Sequence, residues 1–216
     1  MSEEARLRED ICRMARSLFE RGLTAGSSGN ISARLPDGRL LVTPTGSSFG
    51  WLDPARLSLF DAAGHLVGGD KPTKEMPLHA AFYETRPAKT GAVVHLHSCH
   101  SVALSLLPEV DPDNMLPPLT AYSIMKLGKV KLLPYFIPGD PATGDAIRGL
   151  AGKRSAVMLA NHGPVVAAKD LEAAVYAMEE LEETAKLALL TRGLSPRLLN
   201  ESQIGEIVRT FDVEWD

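Results

Sequence analysis

The chain has 216 residues, with 23 basic and 27 acidic side chains and a formal net charge of -4. That balance, with a pI of 5.9, gives no reason to expect nucleic acid or an anionic membrane as the main partner. Apolar residues make up 44% and charged residues 23%, a globular composition. No apolar run approaches the roughly 20 residues that span a bilayer, and the segment Met1 to Asp10 is too polar for the core of a secretory leader. The expectation is one domain over 1–216, with Cys12 and Cys99 as reduced thiols in the cytoplasm.

In chain order, Leu7, Ile11, Met14, Ala15, Leu18 and Phe19 recur at helical spacing and Gly22 stops them, which predicts an opening amphipathic helix. A loop at 26–30 leads into a hairpin, 31–35 and 39–43, turned by Pro36-Asp37-Gly38. Short strands are expected at 57–60 and 65–67, then a helix carrying Met76, Leu78, Ala81 and Phe82. Ala92 to His95 is the best strand start, followed by a helix over 101–107, a proline-rich stretch around Pro117 and Pro118, and strands at 131–135, 156–159 and 165–168. The strongest helical pattern is 171–190, with Leu171, Ala174, Val175, Met178, Leu181, Ala185 and Leu189 on one side and Glu179, Glu180, Glu182 and Glu183 as a solvated acidic face. A shorter helix is expected near 201–210. Early hairpins, interleaved helices and helices at both ends fit a three-layer α/β/α arrangement with a largely antiparallel or mixed sheet.

Two of six histidines form His95-Leu96-His97. In an extended strand the period of two turns both imidazoles to one face, while Leu96 enters the opposite layer. His162, in Asn161-His162-Gly163, stands just past the apolar run 156–159, where the rim of a site would be. These residues are either a three-histidine metal site or a hydrogen-bonded pair plus an ordinary turn residue. Cys99 reads as packed rather than ligating, His100 as a structural hydrogen-bonding residue on the next helix, and His65 as a surface residue. Glu75 starts a helix with His79 four residues on, so it is either a first-turn glutamate favoured by the helix dipole or a carboxylate serving an ion. Ser27-Ser28-Gly29-Asn30 and Thr43-Pro44-Thr45-Gly46, the latter followed by Ser47 and Ser48, supply small donors that jointly suit a phosphate. Each alone reads as a turn, and neither matches a nucleotide-binding motif.

Taken in order, SSGNIS at 27–32, TPTG at 43–46, KPTKE at 71–75, VVHLHSCH at 93–100 and NHGPVV at 161–166 resemble the class II aldolase and adducin-head family across nearly the whole chain. The resemblance implies an α/β/α fold on a mostly antiparallel sheet and a homotetramer with active sites between subunits. It also implies one divalent ion per subunit, commonly Zn2+, held by three histidines; Mn2+, Co2+ and Fe2+ suit the same donors. Position by position, it places the metal ligands on His95, His97 and His162, and the catalytic acid/base on Glu75, which can also ligate the empty site. Phosphate and substrate contacts fall on or beside Ser28, Gly29, Asn30, Thr45, Gly46 and Thr73. Tyr122 lies near a tyrosine that the family's aldolases supply from a neighbouring subunit. Where those aldolases read Ser-Ser-Glu, this chain reads Thr73-Lys74-Glu75, so Lys74 either adds a cation beside the site or points to solvent.

Within the family, PPLTAYSIMKLGKV at 117–130 and PYFIPGD at 134–140 resemble the 3-oxo-tetronate 4-phosphate decarboxylases of four-carbon acid sugar catabolism. This implies loss of CO2 from a phosphorylated four-carbon acid sugar through an enediolate, leaving dihydroxyacetone phosphate. Aldol cleavage of a sugar phosphate of the fuculose type and 4-epimerisation of a pentulose phosphate use the same metal logic and stand as alternatives. A non-catalytic scaffold like the adducin head stands furthest off, because all three histidines are present.

Overall fold

A computed structural model describes residues 2–215. The chain opens with α1 (Glu3–Glu20), whose N-cap Ser2 accepts from the Ala5 N–H at 3.1 Å and whose buried stripe is Ile11, Cys12, Ala15 and Leu18. Strands β1 (Asn30–Arg34) and β2 (Leu40–Val42) form the expected hairpin. Two 3-10 turns, Phe49–Trp51 and Pro54–Arg56, precede β3 (Ser58–Phe60) and β4 (Leu66–Gly68). Next come α2 (Met76–Thr85), β5 (Ala92–His95), α3 (Cys99–Ser105), α4 (Ala121–Leu127), β6 (Lys131–Leu133) and α5 (Pro141–Arg148). The hairpin β7 (Ala156–Leu159) and β8 (Gly163–Ala168) leads to α6 (Leu171–Leu190) and α7 (Glu201–Phe211).

The eight strands form one sheet in the order β4-β3-β2-β1-β5-β8-β7-β6. Every neighbouring pair is antiparallel except β6 and β7, so the sheet is mixed but largely antiparallel, as the sequence predicts. Alternation along β5 sorts its side chains into two cores. Ala92, Val94 and Leu96 pack with residues of α1 and α6 on one side. Val93 packs with Leu78, Ala81 and Phe82 of α2 and Ile147 of α5 on the other. The result is the three-layer α/β/α arrangement, and each fully buried Leu, Ile or Phe contributes about 1.5–3 kcal/mol to holding it.

Two helices were not anticipated. α4 begins at Thr120, whose hydroxyl accepts from the Ser123 N–H, and ends at Gly128 with φ of 61°. α5 begins at Asp140, whose carboxylate accepts from the Ala142 N–H just after Pro141. Both carry ordinary start signals, but at seven and eight residues they are too short for a periodic pattern to stand out. The strand expected over 131–135 stops at Leu133, ahead of Pro134, which has no N–H to add to a ladder. Cys99, the first residue of α3, is exposed rather than packed; Cys12 is buried, and both thiols are free.

The acidic face of α6 is only partly a solvated one. Glu183 is exposed, but Glu182 is buried against the start of α3. Its carboxylate accepts from the backbone N–H of His100 (2.8 Å) and Ser101 (2.9 Å), from the Ser101 hydroxyl (2.5 Å) and from the His100 ring (2.8 Å). Helical periodicity shows which residues share a face, but not that a neighbouring helix end will present unpaired N–H groups to that face. His100 thus has the structural role expected of it. Burial acts to raise the Glu182 carboxyl, but the Ser101 and His100 donors outweigh it and hold it below the ordinary value. A group with a depressed folded-state pKa stabilises above its unfolded value, and that contribution is lost as pH falls through the folded one. Glu182→Ala should therefore cost about 2–4 kcal/mol at neutral pH in urea unfolding, and the gap to the parent chain should shrink as the pH is taken below about 4.

Candidate metal centre

His95 is the last residue of β5, a central strand, in register with Asn30 on β1 and Val165 on β8. Leu96 continues the chain by donating its N–H to the Pro164 carbonyl at 3.2 Å, which carries the extended backbone on to His97 beyond the strand proper. His162 sits in the β7–β8 turn, where Asn161 takes a φ of 60° and the His162 N–H bonds back to the Leu159 carbonyl. Gly163 then passes so close to β5 that a Cβ would lie 2.0 Å from the Leu96 carbonyl oxygen. No other residue fits there, so the glycine of the NHG triplet is what lets His162 meet the other two. Gly29 is constrained in the same way on the opposite side, with φ of 85° and a notional Cβ 2.9 Å from the His95 carbonyl.

The three rings stand steeply inclined to one another, with centroids 4.7 to 5.0 Å apart. Their Nε2 atoms converge: His97 Nε2 lies 3.1 Å from both His95 Nε2 and His162 Nε2. Glu75, the cap residue before α2, reaches into the same point because its side chain makes no capping bond. Its Oε1 is 3.2 Å from His162 Nε2 and its Oε2 is 3.4 Å from His95 Nε2. All four donor atoms lie within 4.8 Å of one another.

The donor set fits a divalent cation. His95 Nδ1 donates to the Pro164 carbonyl at 2.8 Å, which leaves a bare lone pair on Nε2 aimed at the cluster. The Glu75 carboxylate beside it also only accepts, so two electron-rich groups face each other with no proton of their own to share. An ion resolves that conflict, and three imidazoles with one carboxylate are borderline donors suited to zinc and its first-row neighbours. Burial pushes the His95 ring down to about 3 against the opposing pull of Glu75, and burial with the neighbouring His162 lowers His97 too. Neutral imidazoles are the form that ligates. For Glu75, burial raises the carboxyl, but the hydrogen bond from His162, the electrostatic pull of the His95 ring and the Asn30 amide prevail and hold it well below the usual range.

A cavity of about 290 Å3 opens over this cluster, lined by Ser28, Gly29, Asn30, Thr45, Gly46, Thr73, Lys74, Glu75, His97 and His162 together with Ala25, Ser27, Pro44 and Pro138. Backbone bonds from Thr45 N–H to the Lys71 carbonyl and from Thr73 N–H to the Thr43 carbonyl tie its two loops together. Several donors are already committed. The Ser28 hydroxyl donates to the Ala25 carbonyl at 2.6 Å, and the Thr73 hydroxyl oxygen accepts from the Glu75 N–H at 3.2 Å. Asn30 is buried, with its Nδ2 donating to Glu75 at 2.7 Å and its Oδ1 bonded to His79 Nε2 at 2.5 Å. Thr45 lines the cavity, and among the described residues Lys74 is the only lysine or arginine on its wall.

Of the residues that the resemblance assigns to the site, the structure brings all but Tyr122 to this one place, whereas Ser47 and Ser48 line a neighbouring hollow instead. Tyr122 is exposed on α4 and does not line the cavity. His79 does not touch Glu75 directly; the two meet through Asn30. Sequence reading gave Pro138, Ser32 and Tyr83 no role; the one available signal was that Tyr83 stands four residues after His79 on α2 and so shares its face.

Residues 9–189 match the family model for the class II aldolase and adducin N-terminal domain. The chain belongs to that family. Among class II aldolase relatives, the 3-oxo-tetronate 4-phosphate decarboxylase of Escherichia coli is 48% identical over 204 residues, covering 94% of this chain and 96% of the relative. The enzyme of the same name from Cupriavidus necator is 46% identical over the full length of both chains. The crystal structure of YgbL from Escherichia coli superposes with a TM-score of 0.92 at 47% identity, over 95% of this chain and 99% of that one. Equilibrium dialysis should find one divalent ion per class II aldolase-like subunit. His97→Ala should weaken it by more than about 100-fold, the upper cost of losing a mere outer-shell partner.

Proposed function

We propose that the protein is a metal-dependent carboxy-lyase that converts 3-oxo-tetronate 4-phosphate to dihydroxyacetone phosphate and CO2. The observation that carries this reading is the meeting of three imidazole nitrogens, a carboxylate and a lone lysine on one cavity, in a chain nearly half identical to enzymes bearing that name. His95, His97 and His162 would hold the divalent ion, zinc in first place, which when bound supplies positive charge to draw electron density toward the substrate's C3 oxygen.

The chain's own groups do the rest. The Thr45 hydroxyl and the neighbouring Gly46 backbone receive the 4-phosphate, with the Ser28-Gly29 loop as the facing wall. Lys74 meets the C1 carboxylate. That charge leaves with CO2, so the lysine stabilises the bound substrate more than the transition state and acts mainly on KM. Loss of CO2 leaves an enediolate across C2 and C3, and Glu75 delivers the proton to C2 that completes dihydroxyacetone phosphate. Glu75 is ionised in the free protein and must take up that proton first; a polyanionic substrate alongside raises its pKa and favours the uptake.

The whole chain acts as one domain in this reading, and the subunits assemble as a homotetramer with the site near a subunit contact. Support comes from the large exposed side chains Trp51, Tyr122, Tyr135 and Ile137, which one subunit leaves uncovered. Cytoplasmic placement is supported by the free thiols and by the finding that no helix among the described residues is long and apolar enough to cross a membrane.

Freshly generated 3-oxo-tetronate 4-phosphate should yield CO2 and dihydroxyacetone phosphate in equal amounts, and both should vanish with His97→Ala. An intact, metal-loaded enzyme that releases no CO2 but cleaves or epimerises a sugar phosphate would replace this reading with aldolase or epimerase. Glu75→Gln should lower kcat by about 100- to 10,000-fold. Lys74→Ala should raise KM several-fold and leave kcat near the parent value; no change in either would remove Lys74 from the site.

A further inference from the structure

Behind Glu75 runs a line of buried polar side chains that the reaction as described does not use. The Tyr83 hydroxyl lies 3.0 Å from Ser32 Oγ, and Ser32 Oγ lies 2.8 Å from His79 Nδ1. His79 Nε2 lies 2.5 Å from Asn30 Oδ1, and Asn30 Nδ2 lies 2.7 Å from Glu75 Oε2. Every member is more than nine-tenths buried, so water cannot substitute for a missing partner.

The direction of each bond follows from the last one. A carboxylate only accepts, so the amide nitrogen of Asn30 must face Glu75 and its oxygen must face His79. That oxygen only accepts, so His79 carries its proton on Nε2. Nδ1 is then a lone pair and takes the Ser32 hydroxyl proton, and the Ser32 oxygen takes the proton of Tyr83. Burial keeps both ends of this line in the forms it requires: it pushes the His79 ring down to about 4, leaving it neutral, and raises the Tyr83 phenol, leaving it a donor.

We propose that His79 is a positioning residue for Glu75, acting through Asn30. An asparagine amide can turn over with almost no steric change. Turned over here, it would set an oxygen against the Glu75 carboxylate and an NH2 against the Nε2–H of His79. The one-way line makes that arrangement untenable. It anchors Oε2 on the side of His95 and leaves Oε1 beside His162, which lines the cavity. The asparagine also interrupts proton conduction, since an amide does not pass a proton from oxygen to nitrogen as a hydroxyl does, so the line orients Glu75 without draining it. The catalytic consequence rests on Glu75 being the acid/base proposed above, whereas the bond directions do not.

Two measurements test it. Long-range 15N–1H correlation spectra of the metal-free protein, with no substrate, should show His79 as the Nε2–H tautomer at neutral pH; the Nδ1–H tautomer would overturn the proposal. In steady-state kinetics of the metal-loaded protein, His79→Leu should lower kcat by about 10- to 100-fold, the scale of a small misplacement of a reacting group, with KM within about twofold. His79→Gln, whose amide N–H again reaches Asn30 Oδ1, should recover most of that loss. A folded His79→Leu variant with the parent kcat, or a His79→Gln variant no better than the leucine, would also overturn it. Should the leucine variant fail to fold, the parent spectrum and the glutamine variant decide. If a different sugar phosphate is the true substrate, the tautomer and the ranking of the two variants persist with that substrate, which separates failure of the reaction assignment from failure of this inference.

Discussion

The contact between Gly163 and the Leu96 carbonyl is the constraint on which the centre depends. β8 enters the sheet directly over the backbone linking His95 to His97, at a separation that leaves no room for a Cβ. That single close approach converts two histidines two residues apart and a third 65 residues further on from His97 into one cluster. It also explains why the third histidine precedes a glycine: the turn that aims His162 and the strand that pins it share one residue boundary. Thr43, whose hydroxyl accepts from the Ile31 N–H, and Gly29, pressed on the His95 carbonyl, bring the cavity's other walls to the same strand ends.

In the proposed reaction the cavity would handle an anionic substrate with little formal charge. Its wall carries one lysine and no arginine, so recognition falls to hydroxyls, backbone N–H groups and the ion. Such dipoles are fixed by the fold and need little reorganisation when a phosphate arrives. On that reading a chain with a net charge of -4 would need no basic surface to attract its substrate.

Local patterns were legible in the sequence wherever one element sufficed to define them. The bounds of α6 and the β5 start at Ala92 follow from apolar periodicity, and His95-Leu96-His97 alternates as a strand must, with Leu96 fully buried on the far side. The resemblance supplied what spacing alone left open, that His162 and Glu75 belong with that pair. What stayed hidden depends on contacts across the fold. Glu182 looked like one acid among four because the N–H groups it accepts from lie some 80 residues away, on α3. Asn30 looked like a phosphate donor because nothing in its neighbourhood announces Glu75 and His79, its partners at and near the start of α2. α4 and α5 were lost for a different reason, since two turns of helix give too few apolar positions to establish a period.

The anchoring of α3 by Glu182 bears on how the centre takes up its ion. The chain that leaves His97 is held three and four residues on, at His100 and Ser101, by four bonds to one buried carboxylate on α6, two of them from backbone N–H groups, and the backbone that leaves His162 enters a central strand. The ligands are therefore preorganised by folding, and loading orders little of the chain. In small metal-dependent domains the free energy of binding is spent on folding and affinity is correspondingly discounted. Here that coupling would be weak: an ion at this cluster would meet donors that folding has already placed, so its occupancy would turn on the donors and on ion availability.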